Sequence, residues 1–400
     1  MIPLTIILTL LVIIVLLVID FHLGKRMYQN KAPHFDFGIN DADYELFTNG
    51  NDLFSSYFSE IEKAKTSIDI MFFIVGNDNI STQLYHLLKQ KVDEGVNVRL
   101  LVDYMGSFSL KRDVIKGLES NGVQFQYSDK PSFPYFFYKL NRRNHRKITV
   151  IDKQIGYFGG FNVGEEYLGK DTKFGPWRDY HLKVTGDVVN SLSQVFDYDW
   201  DSAKGQVITP TIERKSDVPN EDQALKLIVT ESGQLEGKFV AWINQAKSEI
   251  LIGSPYFIPS ERMFEAIIAA LNRGVEVNLL VPIKGDHPFV KPAAFPYYRK
   301  LLQAGGKGYL YTNGFYHAKV IIIDESFCDI GTANFDNRSV MLNKEINMVI
   351  DTNPKFVKEI REAFFKDMQA SNSLTEQWMN KQPITTKLSG LIAACIKPLL

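Results

Sequence analysis

The distribution of apolar and polar residues along the chain predicts one membrane-spanning helix at its start. Residues 2–19 carry no charge, and their only polar side chains are Thr5 and Thr9. About 18 such residues, at about 1.5 Å each, just cross the hydrocarbon core of a bilayer. A cleaved signal peptide is the alternative, but the segment lacks a preceding basic stretch and a small-residue cleavage site. We therefore expect a retained anchor over residues 1–22.

Positive charges flank this segment on one side only. Lys25, Arg26 and Lys31 follow it, and no Lys or Arg precedes it. Positively charged flanks stay in the cytoplasm. We therefore expect a single N-terminal span in the cell membrane, with the bulk of the chain on the cytoplasmic side.

Beyond the anchor, the same order of strand-like and helix-like stretches occurs twice. Residues 64–74 resemble residues 246–258, and GVNVRLLVD (95–103) resembles GVEVNLLVP (274–282). Amphipathic helical stretches separate these segments, and the alternation of strand and helix is typical of sheets covered by helices. A repeat of about 180 residues is domain-sized and indicates duplication rather than a solenoid.

The duplication predicts two tandem α/β domains, at residues 23–205 and 223–400. A polar stretch with two prolines, residues 206–222, is the predicted linker. The second domain ends in an apolar tail, residues 388–400, which is too short to span a bilayer. We expect the tail to lie at the membrane interface or to pack on the domain.

Composition narrows the functional classes only slightly. The 400 residues are 45% apolar and carry a formal net charge of −1, so any attraction to anions must be local. The two cysteines, Cys328 and Cys395, are far apart and provide neither a disulfide framework nor a metal-binding spacing. This usage suits a reducing compartment.

One five-position motif stands in both halves at identical spacing. Its residues are His145, Lys147, Asp152, Gly159 and Asn162 in the first half, and His317, Lys319, Asp324, Gly331 and Asn334 in the second. Each fixed position matches by chance on the order of one time in twenty. Five positions found twice are therefore a specific signal.

The residue types of this motif favour phosphate chemistry over metal binding. Side chains two apart in a strand point the same way, so His145 and Lys147 share a face. An imidazole beside an ammonium, without clustered carboxylates or thiolates, is a poor metal site. Lysine and asparagine can hold phosphate oxygens, and histidine can attack phosphorus or transfer a proton. The glycines allow close approach of the backbone to a ligand.

Both stretches resemble the duplicated HxKx4Dx6GxxN motif of the phospholipase D superfamily. The segments RRNHRKITVIDKQIGYFGGFNVGEEYLG, WRDYHLKVTGDVV and FYHAKVIIIDESFCDIGTANFDNRS resemble its bacterial cardiolipin synthases, and the likeness runs from Ala64 to Leu400. The single N-terminal span resembles the shorter, minor type of Bacillus-like bacteria. The resemblance implies an α/β fold of two tandem phospholipase D-like domains, each a mixed sheet flanked by helices, with one N-terminal transmembrane helix.

The resemblance also implies a phosphatidyltransferase whose two motifs face one site. One histidine would attack phosphatidylglycerol to form a phosphatidyl-histidine, and the other would protonate the leaving glycerol. The second histidine would then activate a hydroxyl of another phosphatidylglycerol, giving cardiolipin. The family pattern makes His145 the nucleophile and His317 the acid and base, although the sequence itself does not order them.

The remaining motif residues receive implied roles in the same way. The phosphate oxygens would be held by Lys147, Lys319, Asn162 and Asn334. Asp152 and Asp324 are expected to orient side chains at the site rather than to react. No metal ion, nucleotide or other cofactor is needed, because the bond energy is retained in the phosphohistidine.

Several charged residues outside the motif also match the family. Glu345 and Glu166 are each either an orienting partner for a catalytic histidine or a surface carboxylate. For residues 177–179 and His181, we expect a structural ion pair and a histidine at the edge of the core rather than a role at the site.

An aromatic cluster beside a basic one precedes the first motif. Residues 131–144, PSFPYFFYKLNRRN, include Phe136, Phe137, Arg142 and Arg143. This composition suits a loop that contacts the headgroups and interface of an anionic bilayer. A packed aromatic hairpin with a solvated basic end is the alternative.

The expected partners are phosphatidylglycerol and an anionic membrane, and no nucleic acid is expected. Hydrolysis to phosphatidic acid is one rival, because water could meet the same phosphohistidine. A membrane-tethered nuclease is another, with residues 139–147 as a backbone clamp, but no basic stripe extends elsewhere. Two intact motifs argue against a non-enzymatic scaffold.

Overall fold

The computed structural model describes residues 2–33, 35–39, 41–206, 225–351 and 353–399. One long helix precedes two α/β domains, each a mixed sheet flanked by helices, which confirms the predicted fold class. Apart from Gln206, the predicted linker lies outside the described residues.

The elements up to residue 206 are helices α1 Ile2–Lys31, α2 Gly50–Lys63, α3 Asn79–Asp93, α4 Arg112–Glu119, α5 Phe136–Asn141 and α6 Asp187–Ala203. The strands of this part are β1 Phe35–Ile39, β2 Ala42–Asn49, β3 Ser67–Phe72, β4 Asn97–Asp103, β5 Gln124–Ser128, β6 Ile148–Ile151, β7 Ile155–Gly159 and β8 Trp177–Gly186. A short 3-10 helix covers Glu165–Leu168.

The helices after residue 224 are α7 Leu235–Gln245, α8 Glu261–Asn272, α9 Val290–Gln303, α10 Asn337–Met341, α11 Pro354–Gln369, α12 Glu376–Asn380 and α13 Ile384–Cys395, with a 3-10 turn at Lys397–Leu399. The strands are β9 Leu225–Glu231, β10 Glu249–Gly253, β11 Phe257–Ile258, β12 Glu276–Pro282, β13 Lys307–Tyr311, β14 Phe315–Tyr316, β15 Val320–Ile323, β16 Phe327–Gly331, β17 Phe335–Asp336, β18 Lys344–Ile350 and β19 Ser371–Ser373.

Helix α1 is the one candidate for a membrane span among the described residues. Its segment Leu4–Lys31 is long and apolar enough to cross a bilayer. The C-terminal part of the helix packs on α5, where the Asp20 carboxylate accepts the Tyr138 N–H at 3.0 Å. The Phe21 ring also lies 6.3 Å from the ring of Phe137. The helix is thereby attached to the segment that leads into the first motif.

The two sheets have equivalent centres. The first has the strand order β14-β8-β7-β6-β3-β4-β5, with β2 paired to β8. The second has the order β1-β9-β18-β16-β15-β10-β12-β13-β19. In each sheet, three parallel strands adjoin three antiparallel ones, with the motif strand β6 or β15 at the junction.

The motif strands are apolar runs because they lie inside their sheets. All four residues of each of these strands are buried, as expected for a strand covered on both faces. The helices that follow β3 and β10 begin at side-chain caps, since Asp78 accepts the Ser81 N–H and Ser260 accepts the Met263 N–H. Local sequence thus defines both the strand and the helix of each repeat.

The two domains are interleaved rather than merely adjacent. Strand β1 belongs to the sheet of the second domain through β9, whereas β14 joins the sheet of the first domain through β8. At these two strands, the sheets do not follow the predicted division into residues 23–205 and 223–400. One hydrophobic core, which includes Phe158 and Phe196 from the first domain and Ile322 and Phe364 from the second, runs through both.

Candidate active site

The two motif strands bring a histidine and a lysine from each domain to one place. Lys147 Nζ donates to the carbonyl oxygen of His145 at 2.6 Å, and Lys319 Nζ donates to the carbonyl oxygen of His317. All four residues are at least 90% buried, with His145 8% and His317 7% exposed. Lys319 contributes to the lowered pKa values of both His145 and Lys147, after the larger effect of burial.

The imidazole of His145 is oriented by a carboxylate from the second domain. Its Nδ1 lies 3.0 Å from Oε2 of Glu345, and the same oxygen accepts the Thr332 hydroxyl at 2.6 Å. Burial opposes ionisation of Glu345, but His145 and Lys147 hold its pKa below the usual value. An ionised Glu345 accepts a hydrogen from Nδ1 and leaves Nε2 of His145 free for chemistry. Of the two alternatives for Glu345, the structure shows a buried carboxylate on a motif histidine.

The imidazole of His317 is held by Asp179 from the first domain. Its Nδ1 lies 2.5 Å from Oδ2 of Asp179, and Lys319 Nζ donates to the same oxygen at 3.5 Å. Burial opposes ionisation of Asp179, but Lys319 and His317 lower its pKa. Each histidine is therefore oriented by the opposite domain.

Asp179 is the site residue that sequence reasoning missed. We expected a structural ion pair at residues 177–179, and the ion pair that forms joins Arg178 to Asp367 at 2.8 Å. The carboxylate position expected for Glu166 is occupied by Asp179, whereas Glu166 hydrogen-bonds to Tyr167. The internal repeat could have identified Asp179, because Asp179 lies on β8 and Glu345 lies on β18, and these are equivalent strands of the two sheets.

The glycine that follows the motif glycine makes room for this carboxylate. A Cβ atom on Gly160 would lie 1.9 Å from Oδ1 of Asp179. At neighbouring Gly159, which has a φ of 149°, a Cβ atom would lie 2.6 Å from the Cα of His181. The expected close approach of the backbone thus admits the histidine-orienting carboxylate, rather than a ligand directly.

The electrostatics of the site favour an incoming anion. Burial lowers the pKa of Lys147 to about 7 and the pKa of Lys319 to about 8. Burial also lowers the pKa of His317 to about 4. A phosphate group beside the two lysines would favour their charged forms. In the described residues, no group of three or more His, Cys, Asp or Glu side chains is arranged to hold a metal ion.

The two motif asparagines are also buried. Asn162 accepts the Ile74 N–H at 3.1 Å and donates one side-chain hydrogen to Tyr167 Oη at 3.1 Å. Asn334 is 6% exposed, and its backbone N–H donates to Ser339 Oγ at 3.1 Å. Each amide NH2 group carries two hydrogens, so each asparagine retains at least one for a phosphate oxygen.

The expectation that Asp152 and Asp324 orient side chains at the site is wrong. Each follows the far end of its motif strand, about 16 Å along the chain from the motif lysine at about 3.3 Å per residue. Asp152 accepts three backbone N–H groups at 2.7 to 2.9 Å, from residues 65–67 at the start of β3. Asp324 accepts the equivalent N–H groups of residues 247–249 at the start of β10. These carboxylates therefore stabilise the junction between two strands.

The prediction that Arg142 and Arg143 contact membrane headgroups is also wrong. They are 7% and 2% exposed. Arg142 donates to Asp129 and, at 2.7 Å, to Glu231, while Arg143 donates to Asp103 at 3.3 Å. The acidic partners are distant in sequence, so the basic run alone gave no sign that it would be buried.

These arginines belong to a buried ion-pair network that supports the His145 side of the site. The Asp199 carboxylate accepts Arg146 at 2.6 Å and Lys344 at 3.0 Å. The carbonyl oxygen of Lys344 accepts the His145 N–H at 3.0 Å, and Arg146 Nε donates to the carbonyl oxygen of Glu345 at 3.2 Å. The network therefore fixes the backbone of both members of the His145–Glu345 pair.

The aromatic residues before the first motif divide into two groups. Phe136 is 40% exposed and stacks at 5.5 Å on Phe133, which is 84% exposed. Phe137 is half-buried and lies against α1.

His181 is 2% exposed, and burial lowers its pKa to about 3. A neutral histidine at the edge of the core fits that environment.

Two histidine–lysine pairs from duplicated domains, meeting at one buried site, define a phospholipase D-like enzyme. Both halves match the family described as "Cardiolipin synthase, PLD-like domain", at residues 57–200 and 239–368. The crystal structure of phosphatidylserine synthase from Haemophilus influenzae shares the fold, with a TM-score of 0.73 at 14% identity, over 94% of this chain and 99% of that one.

The sequence comparison identifies the branch of this class. The chain is 42% identical over 371 residues to the minor cardiolipin synthase ClsB of Bacillus subtilis, covering 92% of each. It is 39% identical over 363 residues to a cardiolipin synthase of Oceanobacillus iheyensis, covering 89% of this chain and 75% of that one. The chain belongs to the cardiolipin synthase family and is a membrane-associated phosphatidyltransferase, as the resemblance predicted.

Proposed function

We propose that the enzyme transfers a phosphatidyl group from one phosphatidylglycerol to another through a phosphatidyl-histidine and releases glycerol. The observation that carries this proposal is the pair of oppositely held histidines. Nδ1 of each contacts a buried carboxylate from the other domain, at 3.0 Å for His145 and 2.5 Å for His317. This arrangement suits one nucleophile and one acid–base group acting on the same phosphorus.

In the first step, Nε2 of His145 attacks phosphorus, and the bond from phosphorus to the glycerol oxygen breaks. His317 gives a proton to that oxygen, and glycerol leaves. The charge on the imidazole of His145 is stabilised by Glu345, just as Asp179 stabilises protonated His317. The assignment of His145 as nucleophile follows the family pattern.

In the second step, a glycerol hydroxyl of another phosphatidylglycerol gives its proton to His317 and bonds to phosphorus. The bond from Nε2 of His145 to phosphorus breaks, and cardiolipin is released. Lys147, Lys319, Asn162 and Asn334 hold the non-bridging oxygens in both steps. No metal ion or nucleotide is expected to be needed, because the bond energy is retained in the phosphohistidine.

The substrate is expected to reach the site from the cytoplasmic face of the membrane. The basic residues after the apolar segment support this orientation. The exposed Phe133–Phe136 pair adjoins α5, which is attached to α1, and so supports interfacial contact by the aromatic loop. The anionic lipid phosphatidylglycerol would be both the surface and the substrate. The orientation is tested with Lys170→Cys in a chain in which Cys328 and Cys395 are replaced by serine. Labelling of this variant by an impermeant reagent in intact cells would disprove the orientation.

The experiment supplies vesicles with phosphatidylglycerol that is labelled in both its acyl chains and its glycerol headgroup. Cardiolipin, phosphatidic acid and free glycerol are followed together. We expect one glycerol per cardiolipin, and no turnover by His145→Ala or His317→Ala. Phosphatidic acid as the sole lipid product would make the enzyme a hydrolase. Cleavage of DNA without lipid turnover would instead support the nuclease.

A further inference from the structure

Two tyrosine–carboxylate pairs, one from each domain, flank the His317 side of the site. In the second domain, the Tyr256 hydroxyl donates to Oδ2 of Asp286. In the first domain, Tyr167 and Glu166 hydrogen-bond through their side chains, and the Tyr167 hydroxyl accepts Asn162 Nδ2 at 3.1 Å. The proposed chemistry uses neither pair.

The first-domain pair touches the catalytic centre through aromatic packing. The Tyr167 ring lies 4.8 Å from the Trp177 ring, and the Trp177 ring lies 4.9 Å from the imidazole of His317. Through Asn162, the same tyrosine also contacts a residue that we place on the phosphate. One residue therefore separates this pair from the acid–base group, and one residue separates it from the phosphate.

The second-domain pair is anchored against the same aromatic cluster. It lies partly on the loop between β12 and α9, where Lys284 Nζ donates to the carbonyl oxygen of Phe174 at 3.2 Å. The Phe174 ring lies 5.8 Å from Trp177. Burial lowers the pKa values of His317 and Lys319, and the carboxylate of Asp286 partly opposes this, as a group near the site would.

The chemistry of these pairs suits a polyol and not a second phosphate. A carboxylate accepts hydrogen bonds and repels a phosphate, whereas a hydroxyl-bearing group gives it hydrogens. Asp286 and Glu166 are half-buried, so water only partly competes for their oxygens. The Tyr256 hydroxyl donates to its carboxylate, and its oxygen can still accept a hydrogen from the same ligand. The lysines suit the phosphate, and the two carboxylates suit the hydroxyls of the same headgroup.

We propose that Tyr256–Asp286 and Tyr167–Glu166 form the subsite that binds the glycerol hydroxyls of the donor and acceptor headgroups. The subsite rests on the proposed function, because it positions the alcohol whose oxygen leaves or attacks phosphorus. In the acceptor step, this oxygen bonds to phosphorus, the histidine–phosphorus bond breaks, and the alcohol proton passes to His317. Glycerol is then preferred over a simple alcohol because its other hydroxyls reach the two carboxylates.

The test measures how the phosphatidyl-enzyme divides between two small alcohols. The full-length protein receives phosphatidylglycerol vesicles with labelled glycerol and ethanol at equal concentration. The amounts of labelled phosphatidylglycerol and of phosphatidylethanol are measured in the same reaction. Both products form from one intermediate, so their ratio does not depend on how much enzyme is folded or how fast the intermediate forms.

In the wild type, we expect glycerol to be favoured. The changes Asp286→Asn and Glu166→Gln should each reduce the glycerol-to-ethanol ratio about tenfold, the loss of one hydrogen bond to a charged group. Because the two residues lie in different domains, one variant remains informative if the other fails to fold. The matched carboxylate-to-amide change Glu276→Gln, at an exposed pair with Lys307, should leave the ratio unchanged.

An unchanged ratio in whichever of the two site variants folds would overturn the subsite alone, provided that wild-type enzyme makes cardiolipin. If wild-type enzyme forms no cardiolipin, no labelled phosphatidylglycerol and no phosphatidylethanol, the proposed transfer is overturned and the subsite with it. A ratio that falls in the site variants and not in Glu276→Gln would support the subsite.

Discussion

Replacing Glu345 by glutamine should slow transfer strongly while preserving the volume of the side chain. The variant removes the charge that receives the His145 Nδ1 hydrogen at 3.0 Å and the Thr332 hydroxyl at 2.6 Å. A hydrogen bond to a charged group is worth about 1.5–3 kcal/mol, which corresponds to a fall in kcat of about 10- to 150-fold. The loss falls on the transition state, because the charge on the imidazole develops there.

The assay is the initial rate of cardiolipin formation from labelled phosphatidylglycerol, with Glu276→Gln as the matched control. A structural role alone would lower the amount of folded enzyme without changing its pH profile. Because Glu345 raises the pKa of His145, the variant should also move the acid limb of kcat/KM to lower pH. A kcat within threefold of wild type, with an unmoved acid limb, would refute the orienting role of Glu345.

Three further predictions concern stability and pH. Asp324→Asn should lower the thermal midpoint while kcat per folded molecule stays within about threefold, because this carboxylate holds backbone amides remote from the site; a catalytic loss without a loss of stability would contradict this. Asp199→Asn should lower the free energy of unfolding, measured with urea, by about 3–5 kcal/mol, since Arg146 and Lys344 lose their shared carboxylate in the interior; a cost below about 1 kcal/mol would rule out this role. The pKa values of the two motif lysines are lowered to about 7 and about 8, so the free enzyme loses their protons as pH rises through that range. Phosphate binding then requires proton uptake, and kcat/KM should fall above about pH 8; a flat profile to pH 10 would exclude charged lysines as phosphate ligands.

Local sequence was sufficient for the parts of the fold that repeat. The motif strands and the helices capped by Asp78 and Ser260 follow from hydrophobic runs and caps within about 15 residues. The mixed sheets were implied by the family resemblance. The motif histidines and lysines were found for the same reason, because their spacing is identical in both halves. The exchange of β1 and β14 between sheets had no local signal, since an edge pairing is decided by the partner strand.

The errors at the site arise from contacts between distant residues. Asp179 and His317 are 138 positions apart, and Arg142 and Glu231 are 89 apart. Without the fold, a carboxylate beside an arginine in WRDYH indicates a local ion pair, and a run of arginines indicates a solvated surface. The motif aspartates mislead in the opposite direction, because a fixed spacing suggests a role at the site. Asp152 instead accepts backbone amides at 2.7 to 2.9 Å, and Asp324 accepts them at 2.8 to 3.3 Å.

The central claim is a covalent phosphatidyl-histidine at a site shared by both domains. The most direct measurement denatures the enzyme at mildly alkaline pH during turnover of phosphorus-labelled phosphatidylglycerol and locates the modified peptide by mass spectrometry. We expect one modified residue, His145, and no modification in His145→Ala. An adduct on a residue outside the two motifs, or cardiolipin formed at the wild-type rate by His145→Ala, would contradict the account.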